Sequence, residues 1–403
     1  MKFLLSLLLL TPATMAATVQ DWPLPAPKES AQPNLSLSPG GDLLLSWIER
    51  RGEAGHRLVF ARQETGGATW SDTRTIAESK DWFVNWADFP ALQELPDGSL
   101  WAHTLPRNGE ATYAYDVQLQ VSRDGGRTWT TAPPVHDDGT ATEHGFVTLW
   151  PQARDELGIA WLDGRHTGGG HQGHDSHAGG PGVMTLRAAR FGELGKRGER
   201  ELDARTCDCC QTDSARIGDR GVLVAYRDRG EDEVRDISVI RHDGKTWRKP
   251  VPVHADGWVM AACPVNGPAI AARGRQAWVA WYTGAGDQPS IRIATSTDEG
   301  RSFRPMREIA RGQAQHGRVD LAADASGVWV SWLEESAGRQ SLWLARYAPD
   351  LSAEHFRTRV AAIQGRGRGT GFPRLQLAGG EAWLAWTEVV EGQPRLRGAR
   401  VRP

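Results

Sequence analysis

Three cysteines, Cys207, Cys209 and Cys210, crowd into the stretch RTCDCCQTD, and the fourth and last, Cys263, follows in ACPVNGP. Thiols at this spacing can hold a soft metal such as copper(I) or zinc, take part in redox exchange, or cross-link the chain. Compartment decides between these. The chain opens MKFLLSLLLLTPATMA: Lys2 supplies a positive start, Phe3 to Leu10 an apolar run too short to span a bilayer, and Thr14 and Ala16 the small residues of a cleavage site. Residues 1–16 read as a signal peptide and residues 17–403 as one exported domain, periplasmic or secreted, where cysteines are oxidised or metal-bound.

Two further stretches carry chemically able groups. LDGRHTGGGHQGHDSHAGGPG holds four of the twelve histidines, His166, His171, His174 and His177. Four imidazoles this close suit Cu or Zn; a flexible glycine-rich insertion is the plain alternative. RDRGEDEVRD presents Arg227, Asp228, Arg229 and Asp232. Asp228 and Asp232 are candidates for the carboxylate pair that glycoside hydrolysis requires, against a solvated ladder of salt bridges. Arg227 and Arg318, with Asp320, complete the catalytic candidates, the arginines as clamps on an anion. Arg229, Arg374, Asp213, Asn266 and His316 are the candidate ligand contacts.

The formal net charge of −2 argues against a polyanionic partner, and nucleic-acid binding is not expected. No later apolar run approaches the length of a membrane span, so no stable membrane insertion is expected. The 18 Trp, 46 Gly and 23 Pro suit many short strands and tight turns rather than a helical bundle.

The elements that position these residues are legible as a repeat. An alternating apolar run ending in an aromatic recurs as LLLSW at Trp47, LGIAW at Trp161, VLVAY at Tyr226, AWVAW at Trp281, VWVSW at Trp332 and AWLAW at Trp386, with a weaker LWAHT ending at Thr104. A short strand and turn precede each, and a third strand follows most. Strand, turn, strand, loop, strand at this spacing predicts an all-β fold, a β-propeller of seven blades, or six if LWAHT belongs to an insertion. The last copy has room for three strands, so the segment after residue 16 is expected to supply the fourth and close the ring.

Two turns, SRDGGRTW (Ser122 to Trp129) and STDEGRSF (Ser296 to Phe303), match the Asp-box S/T-x-D-x-G-x-T/S-W/F, and QETGGATW and RHDGKTW are degraded copies. With the blade phrase they make the chain resemble the sialidase-like, BNR-repeat propeller superfamily over essentially the whole mature chain. The resemblance implies Asp-box turns on the face opposite the active site, and a carbohydrate-active or carbohydrate-binding protein; any enzyme activity would be that of an exo-sialidase-like glycosidase. The sialidase site itself is not recognisable: the Phe/Tyr-Arg-Ile-Pro motif is absent, and no tyrosine, Tyr226 and Tyr282 included, stands in a nucleophile context.

Blade register places the candidates. Loops entering the innermost strand, and loops joining strands two and three, open on one face. CDCCQTD enters blade 4 and CPVNGP enters blade 5, so Cys263 is expected to bond to Cys207, Cys209 or Cys210, holding Asp213 and Asn266 toward the channel. Two function classes follow: a carbohydrate-binding or glycoside-hydrolase-related propeller with a glycan or small anionic ligand, or a Cu- or Zn-handling propeller built on the cysteines and the histidine loop.

Overall fold

The computed structural model describes residues 17–67, 69–168, 182–364 and 366–403. They form seven four-stranded antiparallel sheets arranged as a seven-bladed β-propeller. Blades 1 to 6 take residues 30–79, 92–131, 144–203, 213–252, 269–311 and 315–363; blade 7 takes 374–402 and, as its outermost strand, Thr18–Asp21. LWAHT is a true second strand, Leu100–Thr104 of blade 2, which excludes the six-bladed alternative. The closing strand pairs Thr18 with Arg402 and Asp21 with Ala399. An edge that would otherwise show bare N–H and C=O groups is thereby paired.

The apolar alternation has a use in this architecture. One face of each sheet packs on the preceding blade and the other on the next, so the core is a set of seams rather than one centre. Trp278, Ile291 and Ile293 of blade 5 meet Val328, Val330 and Trp332 of blade 6. Leu45 and Trp47 of blade 1 meet Trp383 and Ala385 of blade 7 across Trp22.

The turns at Ser122 and Ser296 fold alike. Asp124 Oδ1 accepts the N–H groups of Arg127 and Thr128 at 3.0 and 2.9 Å, and Ser122 Oγ accepts that of Gly126 at 2.8 Å. Asp298 and Ser296 repeat this with Arg301, Ser302 and Gly300. Gly126 has φ 83° and lies against the preceding blade: a Cβ there would sit 2.4 Å from the Phe60 ring.

Candidate functional site

The inner strands of blades 3 and 6 are bulged near their starts. In blade 6, Gly317 pairs with Leu333 but the next pair is Asp320 with Ser331, so Arg318 and Val319 fall outside the ladder. Arg318 has φ 54°, and its N–H donates to Asn266 Oδ1 at 2.8 Å. Gly317 has no room for a side chain, since a Cβ would lie 2.1 Å from Asn266 Oδ1. The bulge thus turns Arg318 onto a pocket of about 350 Å³ on the rim of the channel.

Trp86, Trp258, Tyr282, His316, Arg318 and Arg368 give this pocket its character, and no carboxylate lines it. The Arg318 guanidinium lies 4.7 Å from the Trp86 ring centroid and donates to the carbonyls of Gly371 and Gly367. The Arg227 guanidinium lies 5.0 Å from the Trp258 ring and donates to the carbonyls of Asn266, Arg235 and Tyr282. Both arginines are almost fully buried. Carbonyls satisfy their hydrogens, and Glu335, whose Oε2 accepts the Gly367 N–H at 2.8 Å, partly offsets the charge of Arg318. Burial pulls Arg318 down to about 10, and it holds His316 below the ordinary imidazole range, with Arg318 as the second cause. His316 Nε2 has no hydrogen-bond partner. Burial keeps Tyr282 protonated by raising it further.

Beneath the rim lies the channel, a space of about 160 Å³. Gln211 crosses its mouth: its amide donates to Ala87 O at 2.7 Å, and its oxygen accepts Gly267 N–H at 3.0 Å. Those two loops enter blades 2 and 5, on opposite sides of the ring. Asp213, Asp320 and Arg374 all line the channel. Asp213 Oδ2 accepts the N–H of Ile270 in the next blade, and Asp320 Oδ2 accepts that of Leu375 in the next, each at 2.8 Å. Both aspartates therefore clasp neighbouring inner strands, whose channel-facing edges lack a backbone partner.

Burial, then the Asp320 charge, pushes Asp213 up to about 7 despite the opposing effect of Arg374. A carboxyl raised on folding is protonated in the native protein where the unfolded chain has already ionised. Its stabilising effect is present at low pH and is lost as pH rises from about 4 through about 7. Asp213→Asn keeps the acceptor for Ile270 and is expected to flatten the fall in stability between pH 5 and 8. The effect is of order 1–4 kcal/mol, at about 1.4 kcal/mol per pH unit. Urea midpoints of both proteins across that range are the check; parallel curves would show that Asp213 does not titrate there.

A Tyr–Glu pair is present that no sequence motif marks. Tyr115 Oη lies 2.8 Å from Glu143 Oε1 and 2.9 Å from Asp88 Oδ2. One hydroxyl hydrogen cannot serve both, so one carboxyl carries a proton. Burial raises all three groups, Asp88 to about 7 and Glu143 well above the usual carboxylate range. Asp88 faces the channel, but Tyr115 is fully buried and stacked on Phe83 at 4.1 Å. A sealed phenol is no nucleophile for a bound sugar in this conformation. Tyr115 and Glu143 meet through a parallel bridge between a blade 2 loop and the entry to blade 3, and no motif spacing records that.

Cys209 and Cys263 are disulfide-bonded, with Cα atoms 6.1 Å apart. This is the cross-link expected between the loops entering blades 4 and 5. Cys207 and Cys210 are free and buried. Burial drives the Cys207 thiol up, but the hydrogen bond with Cys210 and the charge of Arg235, whose Nη1 lies 3.4 Å from the sulfur, leave it at about 7. The charged loop braces this corner: Arg229 binds Glu233 and Asp208, and Glu233 also binds Arg235. Asp228 accepts Ser238 Oγ at 3.2 Å, and Asp232 is exposed; neither lines the rim pocket or the channel. Arg227 lies behind the pocket wall, against Trp258, and Arg374 pairs with Asp320 at 3.3 Å. His166 is exposed, and His171, His174 and His177 lie outside the described residues.

No protein-family model matches this chain, and no curated protein matches it. Solved structures share its fold. A protein of unknown function from Dyadobacter fermentans is 14% identical with a TM-score of 0.51, covering 93% of this chain and 95% of that one. The polysaccharide lyase Uly1 is 9% identical with a TM-score of 0.53, covering 91% and 89%. An alpha-L-arabinanase of Penicillium chrysogenum complexed with arabinobiose is 13% identical with a TM-score of 0.47, covering 92% and 93%. At these identities the likeness to the Dyadobacter protein and to Uly1 shows the fold alone.

Proposed function

We propose that this exported protein binds an anionic saccharide, one bearing a carboxylate or sulfate, in the rim pocket. The observation that carries the reading is a pocket walled by Trp86, Trp258 and Tyr282, with Arg318 and Arg368 in its lining, Arg227 behind it and no carboxylate in the lining. Indole faces suit the C–H faces of sugar rings. A buried guanidinium whose hydrogens go to carbonyls, with Glu335 acting on it only from outside the lining, gains from an incoming anion what carbonyl acceptors cannot give it. The Cys209–Cys263 disulfide supports the exported setting. Sialoside hydrolysis is not part of the reading, because the Tyr115–Glu143 pair is sealed.

Calorimetric titration with uronate-bearing or sulfated oligosaccharides is expected to give binding that neutral counterparts lack and that weakens with salt. Trp258→Ala is expected to raise Kd by about 10- to 100-fold, the effect of losing roughly 1.5–3 kcal/mol of aromatic contact. Equal affinity for the neutral sugars would remove the anion from the reading; no binding by either class would end it.

His316 favours a second reading, elimination at a uronate. His316 lines the pocket; its Nε2 is buried in this conformation and, once turned toward the ligand, takes the proton from the carbon next to the carboxylate while Arg318 or Arg368 neutralises that carboxylate. The electron pair left behind forms a carbon–carbon double bond, the bond from the adjacent carbon to the bridging oxygen breaks, and Tyr282 supplies that oxygen with a proton. The ultraviolet absorbance of an unsaturated uronate, lost in His316→Ala, is the expected signal. Saturated products, or undiminished turnover by the variant, would exclude it.

A further inference from the structure

One residue along the chain from Tyr115 and from Glu143 stand Asp116 and His144, members of a second buried cluster. His144 is fully buried, and its ring lies flat on that of His136, centroids 3.6 Å apart and planes at 6°. His144 Nδ1 lies 3.3 Å from the Thr142 carbonyl. A carbonyl only accepts, so this nitrogen carries a proton, and in the neutral ring Nε2 is a bare lone pair. Nε2 has no hydrogen-bond partner. It faces Asp138 Oδ2 at 3.2 Å and Asp163 Oδ1 at 3.7 Å, within ion-pair range of both but without hydrogen-bond geometry. Asp138 Oδ2 also meets His136 Nδ1 at 3.1 Å and Arg165 Nη2 at 3.5 Å, and Asp163 Oδ1 accepts Arg165 Nε at 2.7 Å; the lone pair of His144 Nε2 stays unmatched where water is excluded, and a cation held between it and the two carboxylates would satisfy it.

We propose that His144 Nε2, Asp138 and Asp163 bind a divalent first-row metal ion. The separations of 3.2 and 3.7 Å are close to the roughly 3–3.5 Å between ligand atoms that each lie about 2.0–2.2 Å from one such ion. The supporting shell is built. Metal-bound imidazoles donate their other N–H to a fixed acceptor, here Thr142 O. Asp138 accepts the backbone N–H of Thr140 at 3.0 Å and its hydroxyl. Asp163 accepts Trp161 Nε1 at 2.8 Å and Arg165 Nε at 2.7 Å. Asp116, its side chain 40% exposed, lies 3.8 Å from His144 Nδ1, on the other edge of the ring. Asp116, Asp138 and Asp163 set against Arg165 leave two negative charges for a dication to cancel. One imidazole and two carboxylates without sulfur suit zinc or manganese rather than copper(I). Through His144 the ion fixes the backbone next to Glu143, on one side of the Tyr115–Glu143 contact. The site contains neither Cys207 nor Cys210; Asp163 stands at the start of the histidine-rich stretch, of which residues 169–181 lie outside the described residues.

The test uses the whole mature protein, purified without chelator and analysed for bound elements, then stripped and titrated with Co²⁺. About one zinc or manganese ion per chain is expected. The stripped protein is expected to take up Co²⁺ with visible d–d absorption and no thiolate charge-transfer band. Asp138→Asn, which keeps the side chain's size, is expected to weaken uptake by about 100-fold or more; His144→Gln is the companion variant if it folds. Cys207→Ser is expected to bind metal as the wild type does. A stripped protein that takes up neither Zn²⁺ nor Co²⁺ would overturn the proposal and leave a proton as the cation in the cluster. So would uptake that is indifferent to Asp138→Asn, or that is lost in Cys207→Ser.

Discussion

Removal of residues 17–24 is expected to abolish soluble folding. The segment does two jobs. Thr18–Asp21 completes blade 7 along Gln393–Arg402, and without it that strand shows a long row of unpaired backbone groups, a template for association. Trp22 then closes the ring. Its ring centroid is 4.9 Å from that of Trp383 in blade 7 and 5.1 Å from that of Trp70 in blade 1, its Nε1 donates to Gln63 Oε1 at 3.0 Å, and its N–H donates to Gly398 O. Trp22→Ala alone is expected to cost about 3–5 kcal/mol, the usual effect of truncating a buried aromatic. Size-exclusion profiles and thermal melts of the truncated protein and of Trp22→Ala are the checks. A truncated protein that is soluble, undissociated from its fold and melts as the parent does would show that blades 1 and 7 close the ring without this latch.

Loss of the disulfide is the second large effect. Cys209 and Cys263 are 54 residues apart, so in the chain-entropy account their bond removes about 4 kcal/mol of freedom from the unfolded chain. Cys263→Ser, or reduction, is expected to lower the urea midpoint accordingly and to loosen the strap that carries Pro264, Val265 and Asn266 along the rim pocket. Unreduced, denatured protein is expected to titrate two thiols, Cys207 and Cys210. Four free thiols would show that the bridge does not form, and none would show that the remaining pair is also oxidised.

The seven-bladed ring was readable from the sequence because its signal is local and repeated. Each blade needs a buried second strand packed on both faces, so six carry an apolar run ending in an aromatic, from Trp47 to Trp386, and blade 2 carries the weaker LWAHT. Closure by the N-terminal segment followed from counting strands in the last copy. The cross-link at Cys263 also followed, because blade register turns a separation of 54 residues into adjacency of two loops. Which of the three clustered cysteines it meets did not, since that rests on the path of one short loop.

The binding surface was decided by the tertiary structure. Trp86 and Trp258 looked like two more tryptophans in a chain of 18, yet they stand on the pocket because they lie on loops entering blades 2 and 5 and each is backed by an arginine from another segment. Asp228 and Asp232 had the right chemistry, but their loop leans on Cys207 through Arg229, Glu233 and Arg235 rather than on the channel. Asp213 and Asp320 do reach the channel and spend their oxygens on the backbone of the next blade. Glu143 and His144 stand together in EHGF at the entry to blade 3, on the face where the loops meet, but nothing in the sequence pairs them with Tyr115 or with Asp138 and Asp163. A propeller brings such groups together by the angle between neighbouring blades, and that angle is set by the packing of whole seams. The sequence therefore determined the blades, their number and the face on which loops would meet. Only the packed ring decided which side chains on that face share a pocket, a proton or a charge.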